Sequence, residues 1–179
     1  SGTSITGNQG VAVMWKEVEL GAVCEDYKRD IVDGPFGSNL KSEHFQSEGK
    51  PVLKIQNIKE FTINDKKLVY VSLEKYAELA RHTFRRGDLV ITKLGAPLGV
   101  AAIVRDIDEG VIVADLVRIR SNKEIIDARF LEYQLNSPSV RAQINLSAKG
   151  ATRPRINLSV VRKLKISLPP LAEQQRIVA

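Results

Sequence analysis

The residues best suited to chemistry lie in one short run, Lys149-Gly-Ala-Thr-Arg153-Pro-Arg155-Ile-Asn157. Three cations are interleaved there with Gly150, Ala151 and Thr152, small residues that let backbone amides and a hydroxyl approach a phosphate beside the charged groups. Pro154 stiffens the middle of the run. An arginine can also take the O6 and N7 edge of guanine, which a lysine matches less well. Read blandly, the same run is a flexible basic surface loop. Its surroundings favour the first reading. Between Glu132 and Glu173 there is no acidic residue, while Arg141, Lys149, Arg153, Arg155, Arg162, Lys163 and Lys165 supply seven positive charges. The remainder carries 20 basic and 21 acidic residues, so the whole excess behind the net charge of +6 comes from this window. A concentrated excess favours a polyanion, because phosphates are neutralised locally and their counterions released.

Catalytic constellations are scarce. His44 and His82 stand in no recognisable relation to a nucleophile. The glycines of GAPLG at 95–99 lack both the Lys-Ser/Thr of a phosphate-binding loop and the spacing of a dinucleotide site, and read as a tight turn. Asp88 and Asp115 sit at strand starts, where a carboxylate commonly closes a turn. Cys24 is the single cysteine, so no internal disulfide forms, and with two distant histidines no zinc-ligand spacing exists. These residues predict no catalytic group and no metal site, in a reduced intracellular setting. A second, weaker set has the donors and acceptors that base edges require: Ser38, Asn39 and Lys41 beside the glycine-containing DGPFGSN, with Lys54 and Gln56.

The elements that must position these groups fit one domain, since 179 residues with 43 % hydrophobic content can bury roughly 70 % of the surface exposed on unfolding. WKEVELGAV at 15–23, PVLKIQNI at 51–58, residues 68–71, ADLVRIRS and KISLP have strand patterns, and GDLVITKLG with GVAAIVR reads as a buried hairpin. Ser72 can cap a helix with Leu73, Tyr76, Ala77 and Ala80 on one side. Two more helices are predicted at 127–135 and from Pro138 to residue 146, and Pro169-Pro170 precede a last one, LAEQQRIVA. Short strands with few helices indicate an α+β domain around a mixed or antiparallel sheet. Residues 1–12, small and polar, read as a linker or cloning remnant, 13–170 as the domain and 171–179 as the start of a longer helix, so a fragment is expected. No apolar run suffices to cross a bilayer and no export signal is visible, which predicts a soluble, cytoplasmic protein.

In order, WKEVELGAV, DGPFGSN, VLKIQNI, GDLVITKLGAPLGVAAIV, ADLVRIR, LEYQLNSPSVRAQI and KGATRPRINLSVVRKLKISLPPLAEQQRIVA resemble the target-recognition domain of type I restriction-modification specificity subunits, over nearly the whole chain. The final block, a basic small-residue loop, a turn, a strand, Pro-Pro and a helix, is its most specific part. The resemblance implies a non-catalytic component that reads one half of a split sequence in double-stranded DNA, while methylation and cleavage belong to partner methyltransferase and restriction subunits. It implies a spacer helix beginning near Leu171 and a partner that is either a second recognition domain or a copy of itself. S-adenosylmethionine and ATP would serve the assembly, leaving this chain with no cofactor of its own. On residue chemistry and loop position, Ser38, Asn39, Lys41, Lys54 and Gln56 are expected to discriminate bases, and Lys93, Lys149, Arg153 and Arg155 to anchor the backbone. Two rival readings stand beside this one. The chain could be an assembly module that binds methyltransferase subunits through a stripe of Leu171, Gln174 and Val178, or the recognition domain of a single-chain restriction and modification enzyme.

Overall fold

The computed structural model describes residues 4–6 and 12–179. Within the segment expected as a linker, β1 (Ser4–Thr6) pairs antiparallel with β2 (Ala12–Met14), and the rest of 1–12 lies outside the described residues. The chain continues through β3 (Lys16–Glu19), α1 (Tyr27–Asp30), β4 (Ile31–Asp33), β5 (Lys50–Leu53), β6 (Ile58–Lys59), β7 (Thr62–Ile63), β8 (Val69–Val71) and α2 (Leu73–Glu78). It then forms β9 (Thr83–Arg85), β10 (Leu89–Thr92), β11 (Ala101–Ile103), β12 (Glu109–Ile112) and β13 (Leu116–Ile119). The last part is α3 (Ala128–Leu135), α4 (Pro138–Ser147), α5 (Leu158–Arg162), β14 (Lys165–Leu168) and α6 (Leu171–Val178).

Period-two alternation in these strands builds layers. An antiparallel sheet in the order β11-β10-β13-β4 faces a mixed sheet, β8-β5-β12-β9, in which β5 and β12 are parallel. From the first sheet, Leu89, Ile91, Ala101, Ile103, Val117 and Ile119 point one way, toward Phe130, Leu131, Leu135, Val140, Ile144 and Val161 of α3, α4 and α5. Their neighbours Val90, Ala102 and Leu116 point the other way and meet Leu53, Phe84 and Ile112 of the second sheet. On the far side of that sheet, Val52, Val71 and Val111 form a third cluster with Leu40 and Leu79. At roughly 1.5–3 kcal/mol for each fully buried aliphatic or aromatic side chain, these layers are the dominant favourable contribution to folding. The α+β reading with a mixed and an antiparallel sheet therefore holds.

Polar groups complete the layers. Arg118, 4 % exposed between the sheets, donates to the carbonyls of Thr83, Arg29 and Asp30. Burial, with Arg120 beside it, pulls its pKa down to about 10. Glu132, 3 % exposed on α3, accepts from the Ile103 amide at 2.7 Å and from both terminal guanidinium nitrogens of Arg105 at 2.9 and 2.7 Å. Burial also pushes the Cys24 thiol up to about 12, which makes it a packing group and a poor nucleophile.

The first and last parts of the domain close on each other. β3 pairs antiparallel with β14, Val18 opposite Ile166, and the Leu20 amide donates to the Leu164 carbonyl at 2.8 Å.

Three expectations need correction. The strand expected over 15–23 stops at Glu19, because Leu20 and Val23 turn inward on a 3-10 turn and are fully buried. The strand expected over 51–58 stops at Leu53. There the Asn57 side chain accepts from the Lys54 amide at 2.9 Å and donates to the carbonyls of Asn64 and Lys67, folding 55–57 into a 3-10 turn. In α2 the Ser72 cap forms as expected, with its hydroxyl accepting from the Lys75 amide, but Leu73 is 68 % exposed and joins no apolar side.

Candidate nucleic-acid interface

Strand direction gathers the sequence-predicted groups at one end. β4 and β10 both run antiparallel to β13, with Asp33 and Ile91 each opposite Val117, and β5 runs beside β12 with Leu53 opposite Ile112. Hence β4, β5, β10 and β12 all finish at the same edge of the two-sheet stack. The segments 34–41, 54–57, 93–100 and 113–115 leave from that edge, and the basic run at 149–156 joins them. Arg155 makes an antiparallel bridge to Leu94, the Ile156 amide donates to the Lys93 carbonyl at 3.0 Å, and Ile156 itself is buried. The basic loop is therefore pinned at its C-terminal end, and Gly150 takes a positive φ of 87° at the other.

The 34–41 loop is fixed just as firmly. Gly34 presses so closely on the 113–114 backbone that a Cβ there would lie 2.1 Å from the Val113 carbonyl. Its amide donates to the Leu116 carbonyl at 3.2 Å, the Asn39 amide to the Phe36 carbonyl at 2.8 Å, and Leu40 is buried below. Between this loop and Arg155 runs a cleft lined by Asp33, Gly34, Phe36, Asn39, Arg81, His82, Lys93, Ala114 and Arg155. Within it His82 Nδ1 lies 2.7 Å from the Asp33 carbonyl. A carbonyl only accepts, so Nδ1 is the donor of this pair.

The predicted residues fare differently within this edge. Ser38, Asn39, Lys41 and Gln56 are exposed on its loops. Lys149 and Arg153 are exposed, and their side chains have no partner among the described residues. Arg155 is exposed too, with Asp115 at 3.4 Å. Lys54 is half-buried, its ammonium 4.8 Å over the Phe45 ring, so it is not part of an open polar strand face. Lys93 is a correction. Only 5 % exposed, it donates to Asp33 at 2.9 Å, which spends its charge inside the protein. Phe36, Arg81 and His82 were not among the predicted residues. A phenylalanine between Pro35 and Gly37 in a polar loop was the available signal for the first, whereas strand pairing alone brings the other two here.

The basic window as a whole does not form one face. Arg141 donates to Glu60 at 2.6 Å, Lys165 lies 3.6 Å from Glu19, and Arg162 donates to the Ile31 and Lys28 carbonyls beside the Tyr27 ring. Lys163 is exposed near Val18, Glu19 and Gly21, on the β3 side of the domain. Of the basic window, the unspent charge at the loop edge is that of Lys149 and Arg153, with Arg155 beside the cleft; Lys41 and Arg81 lie outside the window. Among the described residues no cluster of His, Cys, Asp and Glu could hold a metal ion, and no helix is long and apolar enough to cross a membrane.

At the far end of the chain, the Leu171, Gln174 and Val178 stripe of the assembly reading is largely consumed within the domain. Gln174 is fully buried, accepts from the Asp127 amide at 2.8 Å and donates to the carbonyls of Ile125 and Pro169. Val178 packs against the main core. A partner of α6 would have to use its other side, where Ile177 is 38 % exposed.

The layered scaffold thus concentrates loops, cations and amide-bearing side chains at one edge. The chain belongs to the type I restriction modification DNA specificity domain family, whose model matches residues 13–179. It is 31 % identical over 173 residues to the type I restriction enzyme MjaVIII specificity subunit of Methanocaldococcus jannaschii, covering 90 % of this chain and 40 % of that one. It is 28 % identical over 131 residues to the EcoBI specificity subunit of Escherichia coli, covering 73 % and 27 %. The crystal structure of the HsdS subunit from Thermoanaerobacter tengcongensis superposes with a TM-score of 0.66 at 26 % identity, over 92 % of this chain and 40 % of that one. The chain thus spans about two fifths of the length of these fuller matches.

Proposed function

We propose that this chain is a non-catalytic DNA-recognition domain of a type I specificity subunit, reading one half of a split target and directing methylation and cleavage by partner subunits. Its relatives are specificity subunits, and the observation that carries the reading here is the gathering of the exposed cations Lys149 and Arg153 with the Ser38, Asn39, Lys41 and Gln56 side chains at one loop edge. Phosphate contacts by the cations would set register and orientation, and the polar side chains would meet base edges in a groove. Methyltransferase and restriction subunits, with a second recognition domain or a copy of this chain, complete the assembly, and the setting is cytoplasmic. Sites narrow to Ser38, Asn39, Lys41 and Gln56 for bases and Lys149, Arg153 and Arg155 for the backbone, with Lys54 held partly back by Phe45.

The test is a salt titration. Duplexes selected from a randomised library are bound to the chain and followed by fluorescence anisotropy from low to moderate salt. Arg153→Ala is expected to reduce the slope of log affinity against log salt by about one unit, and Lys149→Ala similarly, while Lys163→Ala leaves it unchanged. A wild-type slope in both loop variants, or a library from which no duplex is enriched, overturns the reading.

A further inference from the structure

The cations and amides of the loop edge leave one side chain unexplained. Phe36 is 83 % exposed, the most exposed of the large apolar residues of the described chain. An aromatic ring left in water forgoes burial worth about 1.5–3 kcal/mol, so a sequence that holds one out on a fixed support gains no stability from it. The support is fixed. Gly34 is wedged against Val113, the Phe36 carbonyl accepts from the Asn39 amide at 2.8 Å, and Leu40 anchors the loop in the core. At that exposure the ring is open to solvent and is not packed on a neighbour. Behind it runs the cleft with Arg81, His82 and Arg155, groups that suit the phosphates flanking an occupied base step.

Resting on the DNA-recognition reading above, we propose that Phe36 is a specificity-determining wedge, its ring pressed against the stacked face of a base step while Arg155 and Arg81 hold the adjoining phosphates. Apolar wedges act by partially unstacking a step, which is easiest at pyrimidine–purine steps, so the ring reads deformability at positions where the polar side chains need make no hydrogen bond. It adds discrimination and no charge.

Three variants of the chain, Phe36→Ala, Phe36→Leu and Arg153→Ala, separate this role from the others. Each is titrated against the duplex most enriched from the randomised library and against a scrambled duplex of equal length, with 2-aminopurine placed in turn at each position of the enriched one. Phe36→Ala is expected to lower the enriched-to-scrambled affinity ratio by about tenfold with an unchanged salt slope. It should also abolish a 2-aminopurine fluorescence rise that the wild type produces at one step. Phe36→Leu keeps an apolar wedge and retains part of the ratio, and Arg153→Ala lowers the slope while keeping the ratio. Because the ring is exposed, thermal melting of the three variants should match the wild type. If the wild type discriminates between the duplexes and Phe36→Ala does so equally, or if no position brightens, the wedge is wrong and the recognition reading stands. If the wild type itself does not discriminate, the recognition reading fails first.

Discussion

Glu132→Ala is expected to destabilise the domain by about 3 kcal/mol and to lower Tm by about 6–12 °C. The carboxylate is buried and ties three groups together: the Ile103 amide on β11 and both terminal nitrogens of Arg105. Truncation strands the buried amide and leaves a small void against the first sheet. Arg105, with 45 % of its side chain exposed, recovers water, which keeps the loss toward the lower end for a broken buried pair. Glu132→Gln still offers an oxygen to Ile103 and should lose about half as much. Thermal unfolding followed by circular dichroism measures both, and a shift of less than about 2 °C for the alanine variant would refute the assignment.

Asp33→Ala should cost about 2–3 kcal/mol, because Lys93 is then left as a buried cation without its counter-charge. Asp33 keeps 36 % of its side chain exposed, so water softens the penalty relative to a fully enclosed pair. Replacing the lysine as well, Asp33→Ala with Lys93→Met, should restore most of the stability, since an apolar chain of similar length fills the same space. The double variant also tests the correction made to the sequence reading. If Lys93 serves only Asp33, the pair of substitutions leaves the salt slope of DNA binding at its wild-type value. A slope reduced by about one unit would return Lys93 to the phosphate contacts.

Why Lys93 misled is instructive. It follows the four buried strand residues of β10, and its own neighbours say nothing about Asp33, which reaches it only through two strand pairings. The same blindness affected the charge window. Net charge is additive along a chain, but Glu60, Glu19 and Asp115 approach Arg141, Lys165 and Arg155 from remote segments, so the local surplus is partly cancelled in space. What was legible follows from short-range physics: the Ser72 cap, the buried hairpin of β10 and β11, the proline-initiated α4, and the β14-Pro-Pro-α6 ending. The misread strand at 51–58 failed for a related reason, since alternation continued past Leu53 while one asparagine, bonded to carbonyls as far off as Lys67, bent the backbone. Phe36 went unread because a propensity scale sees an apolar residue and expects burial.

The pairing of β3 with β14 bears on how the domain is made. During vectorial synthesis the first of these strands leaves the ribosome early and has no mate until nearly the whole domain has followed it. Val18 and the unpaired amides around it remain open throughout that interval, while the inner sheets can already assemble. Closure is thus a late latch: a domain lacking Lys165–Leu168 would leave β3 with a raw edge, and that edge is where chaperones would be expected to bind.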